Sequence, residues 1–140
     1  KEDFTSQRVL DMGTGTGVLG IAMAKQGAKE VVAIDIDEFC VTNALENFSL
    51  NNINNVSVLL GDASAIEGMF DTIVANIHKN ILTTDMPIYV QHLMPGGTLI
   101  ISGFFVDDVP DMQEVATLNK LFTIKTVEKN NWAVIVLRKA

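Results

Sequence analysis

Residues 9–17 read VLDMGTGTG, and this stretch decides the fold of the chain. An apolar run typical of a buried strand leads into Asp11, and glycines then alternate with threonines until a helical pattern begins at Gly17. Glycine has no Cβ, so the backbone can turn sharply and a ligand can approach the amides that open the next helix. The stretch predicts a strand, a tight loop and a helix arranged around a nucleoside ligand.

Two kinds of nucleoside ligand fit this loop, and Asp11 discriminates between them. Residues 15–20 match the dinucleotide motif G-x-G-x-x-G, and Asp35 lies near the spacing expected of a ribose-binding acid. A pyrophosphate beside Asp11 would meet a like charge, whereas S-adenosylmethionine carries a sulfonium and an ammonium and no phosphate. The sequence favours S-adenosylmethionine. A nicotinamide dehydrogenase and a loop that only permits a tight turn stay open as alternatives.

Composition limits the class of protein. The 140 residues, 48% of them hydrophobic, suffice for one α/β domain with an ordinary core. The net charge of −7 and the lack of a basic run predict no direct binding to nucleic acid. No apolar stretch is as long as a membrane span and no signal peptide opens the sequence, which predicts a cytoplasmic protein without membrane contact. The single cysteine, Cys40, is predicted to be a small buried apolar residue on a helix.

Strand-like and helical runs alternate along most of the chain, which predicts a mostly parallel sheet with helices on both faces. The last two β-rich runs are separated by only three residues, so they can pair only as an antiparallel hairpin. A seven-stranded sheet of this kind is typical of Rossmann-like methyltransferases rather than of dinucleotide dehydrogenases. The predicted strands are 8–12, 31–34, 56–60, 72–75, 98–102, 122–128 and 132–138, and the predicted helices are 17–26, 38–50, 80–92 and about 109–119.

Polar residues follow the predicted strands at the edge where a ligand would lie. Asp35 is placed to accept hydrogen bonds from both ribose hydroxyls, while Asp37 is the better cap for the helix that begins at residue 38. Asp62 could accept from the adenine amino group, and the Ala63 amide could donate to a ring nitrogen. Asn76 ends the fourth strand, and its carboxamide can both donate and accept. We assign Asn76 the catalytic role of orienting an acceptor amine.

Other polar residues are predicted to take no part in the chemistry. His78 and Lys79 follow Asn76 directly, but such side chains in loops are usually solvated. Asp108 is expected to cap the helix that follows it, and no set of residues has metal-ligand spacing. A further set of residues is predicted to lie at helix ends, on the solvated surface or in packing contacts, with Trp132 as the anchor of the hairpin. The set is His92, Asp107, Asp111 and Trp132.

Several blocks of sequence together resemble the PrmA family, the ribosomal protein L-eleven methyltransferases. The glycine motif alone is shared by the whole class I methyltransferase superfamily, and the blocks at 35–37 and 76–77 are more specific. The resemblance implies that residues 1–140 form a catalytic domain that transfers methyl groups from S-adenosylmethionine to lysine and N-terminal amines of a large-subunit ribosomal protein. The blocks that carry it are 9–19, 28–37, 46–47, 74–77, 93–97 and 102–103.

The resemblance also implies where the cofactor binds, and this sequence departs from the family in two features. The family has a separate N-terminal substrate-binding domain and a loop with His and Thr before the first strand. Neither is found in this sequence, so we expect a domain of a longer protein. A class I methyltransferase with another acceptor, or a module that binds S-adenosylmethionine without catalysis, stays open. With the loop residues included, the predicted cofactor site comprises Asp11, Gly13, Thr14, Gly15, Gly17, Asp35, Ile36, Asp62, Ala63 and Asn76.

Overall fold

The computed structural model describes residues 4–140, so residues 1–3 of the predicted domain lie outside the described residues. The described residues form seven strands and four helices. Strands and helices alternate as far as the fourth helix, except that only the short 3₁₀ turn Ala63–Ala65 joins the third strand to the fourth, and the last two strands follow each other directly. The strands are β1 Arg8–Met12, β2 Glu30–Asp35, β3 Val56–Leu60, β4 Phe70–Asn76, β5 Leu93–Phe105, β6 Leu121–Lys129 and β7 Trp132–Lys139. The helices are α1 Val18–Lys25, α2 Glu38–Leu50, α3 Lys79–Gln91 and α4 Val109–Leu118.

All seven strands form one sheet in the order β3-β2-β1-β4-β5-β7-β6. The neighbours from β3 to β5 pair in parallel, and β7 is antiparallel to both β5 and β6. The mostly parallel sheet with a terminal hairpin is confirmed. The chain turns to opposite sides of β1 to form β2 and β4, and the carboxyl ends of strands around such a switch point are where open α/β sheets bind ligands.

Helices cover both faces of the sheet, because the buried strands present apolar side chains in both directions. On one face α1 and α2 bury Met23 and Phe48 against the sheet, and on the other α3 and α4 bury Met86 and Met112. The two faces form two separate apolar clusters. Within residues 4–140, no helix combines the length and the apolar character needed to cross a membrane.

The hairpin between β6 and β7 turns through Asn130 and Asn131. Their φ angles are 52° and 70°, and both must be positive in a type I′ turn, a conformation that asparagine tolerates better than most residues. The turn therefore has two residues, one fewer than the gap predicted from the sequence. The reason is that Lys129 already pairs with Trp132.

Two predictions about local structure were wrong. The fifth strand begins at Leu93 rather than at Thr98, because Leu93 pairs with Phe70 and the residues up to Gly97 form an irregularity in the register. Cys40 is half-buried rather than fully buried. It lies in the first turn of α2, whereas the buried residues of that helix, Ala44 and Phe48, lie one and two turns further on.

Candidate active site

A cavity of about 910 Å³ opens at the carboxyl ends of β1, β2, β4 and β5. Its wall is completed by the short 3₁₀ turn Ala63–Ala65, by α3 and by the start of β7. The cavity thus occupies the switch point of the sheet. The predicted site residues that line it are Gly13, Asp35, Ile36, Asp62, Ala63 and Asn76.

Asp35 joins the glycine loop to the end of β2. Its Oδ2 accepts the backbone N–H of Gly15 at 2.9 Å, and its Oδ1 accepts the N–H of Asp37 at 2.9 Å. A carboxylate oxygen can accept a second hydrogen bond, so both oxygens keep capacity for a ligand hydroxyl. Asp37 caps α2 by accepting the N–H of Phe39 at 2.9 Å, as predicted.

The rest of the predicted loop residues lie behind the cavity wall. Asp11 is only 1% exposed, and its Oδ2 accepts the hydroxyl of Thr14 at 2.7 Å. Burial raises the pKa of Asp11 to about 6, and its Oδ1 has no hydrogen-bond partner. Asp11 therefore organises the loop, and any effect of its charge on a ligand acts through the wall. Thr14, Gly15 and Gly17 likewise do not line the cavity.

Two glycines permit the close packing around the end of β4. Gly13 has φ of 77°, and a Cβ there would lie 3.0 Å from Ile77 Cγ1. Gly103 has φ of 96°, and a Cβ there would lie 2.8 Å from the Ile77 carbonyl and 2.9 Å from Asn76 Oδ1. Both positions combine a left-handed backbone with a close approach. The Asn76 carboxamide stands on the cavity wall because these two neighbours lack side chains.

Asp62 caps a 3₁₀ turn and also lines the cavity. Its Oδ1 accepts both the N–H and the hydroxyl of Ser64, at 2.9 and 2.5 Å, and so caps the 3₁₀ turn. The hydrogen bonds from Ser64 lower the pKa of Asp62. No hydrogen bond from the described residues reaches its Oδ2. Asp62 therefore enters the cavity as an ionised carboxylate with one oxygen available to a ligand.

An aromatic pair that packs the hairpin against β5 also forms part of the cavity wall. Trp132 is half-exposed and stacks on Phe105, with ring centroids 4.3 Å apart and an interplanar angle of 25°. Both rings line the cavity. They meet because Phe105 and Trp132 are register partners across β5 and β7. No local pattern in the sequence reveals this pairing.

The helix α3 contributes residues that sequence reasoning did not assign to the site. Ile81 and Asp85 stand one turn apart and both line the cavity. Burial and then the charge of Asp62 raise the pKa of Asp85. With Asp35, Asp62 and Asp85 and no lysine or arginine in its described wall, the cavity favours cationic ligands and disfavours phosphates.

Of the two residues that follow Asn76, His78 is exposed, as predicted, whereas Lys79 is half-buried and held in ion pairs. His78 lines the cavity. Lys79 Nζ is paired with Asp108 Oδ1 at 3.2 Å and with Asp111 Oδ2 at 2.8 Å. Asp108 stands at the N-terminal cap position of α4, but its side chain makes no capping hydrogen bond. Its carboxylate turns to Lys79 instead, so the predicted capping role was wrong.

Two further predictions concern residues away from the cavity. His92 ends α3, and its Nδ1 lies 2.7 Å from the Gly68 carbonyl, which fits the structural role predicted for it. Among residues 4–140, no group of three or more His, Cys, Asp or Glu side chains is arranged to hold a metal ion.

The chain is similar to methyltransferases of a ribosomal protein. A family model described as Ribosomal protein L11 methyltransferase (PrmA) matches residues 2–140. The ribosomal protein L11 methyltransferase of Porphyromonas gingivalis is 47% identical over 135 residues, which are 95% of this chain and 47% of the relative. That of Bacteroides fragilis (strain YCH46) is 44% identical over 95% of this chain and 48% of the relative. The chain spans about half the length of the curated relatives it matches.

A solved structure agrees with the sequence comparison. The ribosomal protein L11 methylase from Lactobacillus delbrueckii subsp. bulgaricus aligns with a TM-score of 0.92 at 33% identity, over 97% of this chain and 72% of that chain. The predicted Rossmann-like class I methyltransferase fold is thereby confirmed. This chain belongs to the ribosomal protein L11 methyltransferase (PrmA) family.

Proposed function

We propose that this domain binds S-adenosylmethionine and catalyses transfer of its methyl group to a primary amine of a large-subunit ribosomal protein. The observation that carries the proposal is the composition of one cavity wall. It joins acids at the ends of β2 and β3 to the Asn76 carboxamide at the end of β4. The acids suit a cationic nucleoside, and the carboxamide suits an amine.

The residues present fit the cofactor. Asp35 keeps acceptor capacity on both oxygens for the ribose hydroxyls, and Asp62 Oδ2 can accept from an adenine amino group. Gly13 presents backbone without a Cβ to the cavity. The acidic wall favours the sulfonium and ammonium groups over a dinucleotide pyrophosphate. S-adenosylmethionine supplies an electrophilic methyl group when it is bound.

The chain's own part in catalysis is to hold a neutral amine in position. The Asn76 Oδ1 can accept an N–H of the amine, which leaves the nitrogen lone pair free to form the new bond to the methyl carbon. An ordinary lysine has a pKa of about 10.4, so the neutral form at pH 7 costs about 5 kcal/mol. We expect solvent to take most of this proton. We expect no covalent enzyme intermediate, because a neutral amine can attack the methyl group directly and the single cysteine, Cys40, does not line the cavity.

The proposed acceptor is inferred from the names of the relatives and from the net charge of the chain. The relatives are named for ribosomal protein L11, and lysine and N-terminal amines are the groups we propose as acceptors. A cytoplasmic location belongs to the same proposal, because the acceptor is a ribosome component. The negative net charge supports a cationic protein segment as the partner and gives no support to nucleic-acid binding.

Calorimetric titration and a transfer assay test the two parts separately. We expect the 140-residue chain to bind S-adenosylmethionine and its demethylated product, and to bind NAD more weakly. Tighter binding of NAD would overturn the cofactor assignment. We expect slow transfer of labelled methyl groups to purified ribosomal protein L11, because positioning of an acceptor can supply roughly 7–11 kcal/mol and the relatives are about twice as long. If the chain bound the cofactor but transferred no methyl group at any protein concentration, it would be a binding module without catalytic activity.

A further inference from the structure

Lys79 connects two parts of the chain that are 29 residues apart. It is the first residue of α3 and directly follows His78 on the cavity wall. Its ammonium group pairs with Asp111 at 2.8 Å and with Asp108 at 3.2 Å, at the start of α4. Hydrogen bonds to Asp111 and then to Asp108 raise the pKa of Lys79, so the charge that makes the contact persists at neutral pH.

Lys79 stands where the helix dipole disfavours a cation, and Asp108 forgoes the capping hydrogen bond expected at its position. A cation at the first position of a helix meets the positive end of the helix dipole, as Lys79 does in α3. An aspartate at a cap position normally accepts a backbone N–H, yet Asp108 makes no such bond. Departures of this kind from local preference are expected at functional sites. The ion pairs therefore need a reason beyond the stability of either helix.

The two joined segments form two sides of the cavity. Asn76, Ile77 and His78 precede Lys79 and line the cavity at the end of β4. Phe105 lines it at the end of β5, and only the 3₁₀ turn Val106–Asp108 separates it from α4. Trp132 is stacked on Phe105.

We propose that Lys79 is a positioning residue whose ion pairs with Asp108 and Asp111 hold the Phe105–Trp132 pair at a set distance from Asn76. The cluster thereby fixes the width of the cavity where the acceptor amine enters. This inference rests on the proposed methyl transfer, because it assigns that part of the cavity to the acceptor.

The solvent exposure of Lys79, Asp108 and Asp111 limits how much their ion pairs can stabilise the fold. The side chains of Lys79 and Asp108 are 34% and 29% exposed, and that of Asp111 is 67% exposed. Exposed pairs contribute little to global stability, whereas a network of three charges can restrict the relative motion of two segments. Loss of Lys79 should therefore change the cavity wall more than the unfolding transition, and loss of Asp111 should have a smaller effect.

Trp132 is the single tryptophan of the chain, so its fluorescence reports on the cavity wall without any ligand. We would compare Lys79→Met, Lys79→Arg and Asp111→Asn by acrylamide quenching of this fluorescence. The control is Glu30→Gln, which removes the ion pair of Glu30 with Arg8, a contact of 2.6 Å between side chains that are 41% and 33% exposed. Arg8 begins β1 and Glu30 begins β2, so this pair lies at the opposite end of the sheet from the cavity.

We expect Lys79→Met to raise the quenching constant about twofold, Asp111→Asn to raise it less, and Lys79→Arg and Glu30→Gln to leave it unchanged. Transfer to ribosomal protein L11 should fall about tenfold in kcat for Lys79→Met, with unchanged affinity for the demethylated cofactor and recovery in Lys79→Arg. Quenching in Lys79→Met and in Asp111→Asn equal to that of Glu30→Gln overturns the inference. Absence of cofactor binding in the parent chain overturns the proposed function instead, and it leaves the fluorescence comparison intact.

Discussion

The carboxylate of Asp35 accepts the backbone N–H of Gly15 at 2.9 Å, so the acid that ends β2 also holds the loop that follows β1. The loop is held from its other side by Asp11, which accepts the Thr14 hydroxyl at 2.7 Å. Two carboxylates thus fix one glycine loop, and only Asp35 reaches the cavity. Asp35 is therefore accessible to a ligand, whereas Asp11 supports the wall from behind.

Replacement of Asp35 should weaken cofactor binding. Hydrogen bonds to charged groups contribute about 1.5–3 kcal/mol, so Asp35→Ala should raise the Kd for the demethylated cofactor about 10- to 100-fold. Calorimetric titration measures this. The control is Asp37→Ala, which removes the cap of α2 at a position outside the cavity. An unchanged Kd for Asp35→Ala would restrict Asp35 to holding the loop.

Replacement of Asn76 should affect the rate more than binding. If the carboxamide orients the amine in the transition state, Asn76→Ala should lower kcat about 10- to 100-fold and weaken cofactor binding far less. Single-turnover transfer and titration separate the two effects. Asn54→Ala, an exposed asparagine outside the cavity, serves as the control. Equal losses in kcat and in affinity would show that Asn76 only binds the cofactor.

The rate should depend on pH through the acceptor amine. Because an ordinary lysine is protonated below pH 10, the rate should rise roughly tenfold per pH unit from about pH 6 to 9 when chemistry is limiting. His78 lines the cavity, so His78→Ala tests whether it acts as the general base. We expect the slope of the pH profile to be unchanged. A parent profile that flattens near neutrality, and becomes steep only in His78→Ala, would assign the base role to His78.

Asp11 should make stability depend on pH. Burial raises its folded pKa to about 6, above the unfolded value, so the group contributes stability below about pH 4 that is lost as the pH rises through 6. The shift corresponds to roughly 3 kcal/mol. Urea unfolding of the parent chain and of Asp11→Asn at pH 4 and pH 7 measures it. We expect the difference between the two proteins to change with pH, and Asn54→Ala, at an exposed residue that does not titrate, to show no such change.

Gly103 should tolerate alanine less well than Gly96. Both have positive φ, so either substitution costs about 1–2 kcal/mol of backbone strain. A Cβ on Gly96 meets nothing within 4 Å, whereas one on Gly103 meets the Ile77 carbonyl and Asn76 Oδ1. Gly103→Ala should therefore be less stable than Gly96→Ala by a further 1–3 kcal/mol or so and should lower kcat. Equal unfolding free energies would show that the close approach relaxes without cost.

The sequence alone determined most of the elements and predicted that polar residues at the strand ends line the cavity. The predicted bounds of α2 and β3 match the structure, because local periodicity and the turn-forming asparagines at 51–55 define their ends. Asp35, Asp62 and Asn76 could be predicted to meet because each lies at or directly after the carboxyl end of a strand. The ends of parallel strands fall on one edge of the sheet, so their position along the chain is enough.

The tertiary structure alone decided which of these residues reach the cavity and what faces them. Asp11 and Asp35 both lie at strand ends, yet one is buried behind the loop and the other lines the cavity. Trp132 meets Phe105 through the register of β5 and β7, and Lys79 meets Asp108 through the packing of α3 on α4. Strand register and helix packing are set by the burial of the whole apolar core, so contacts between segments distant in sequence leave no local pattern to detect.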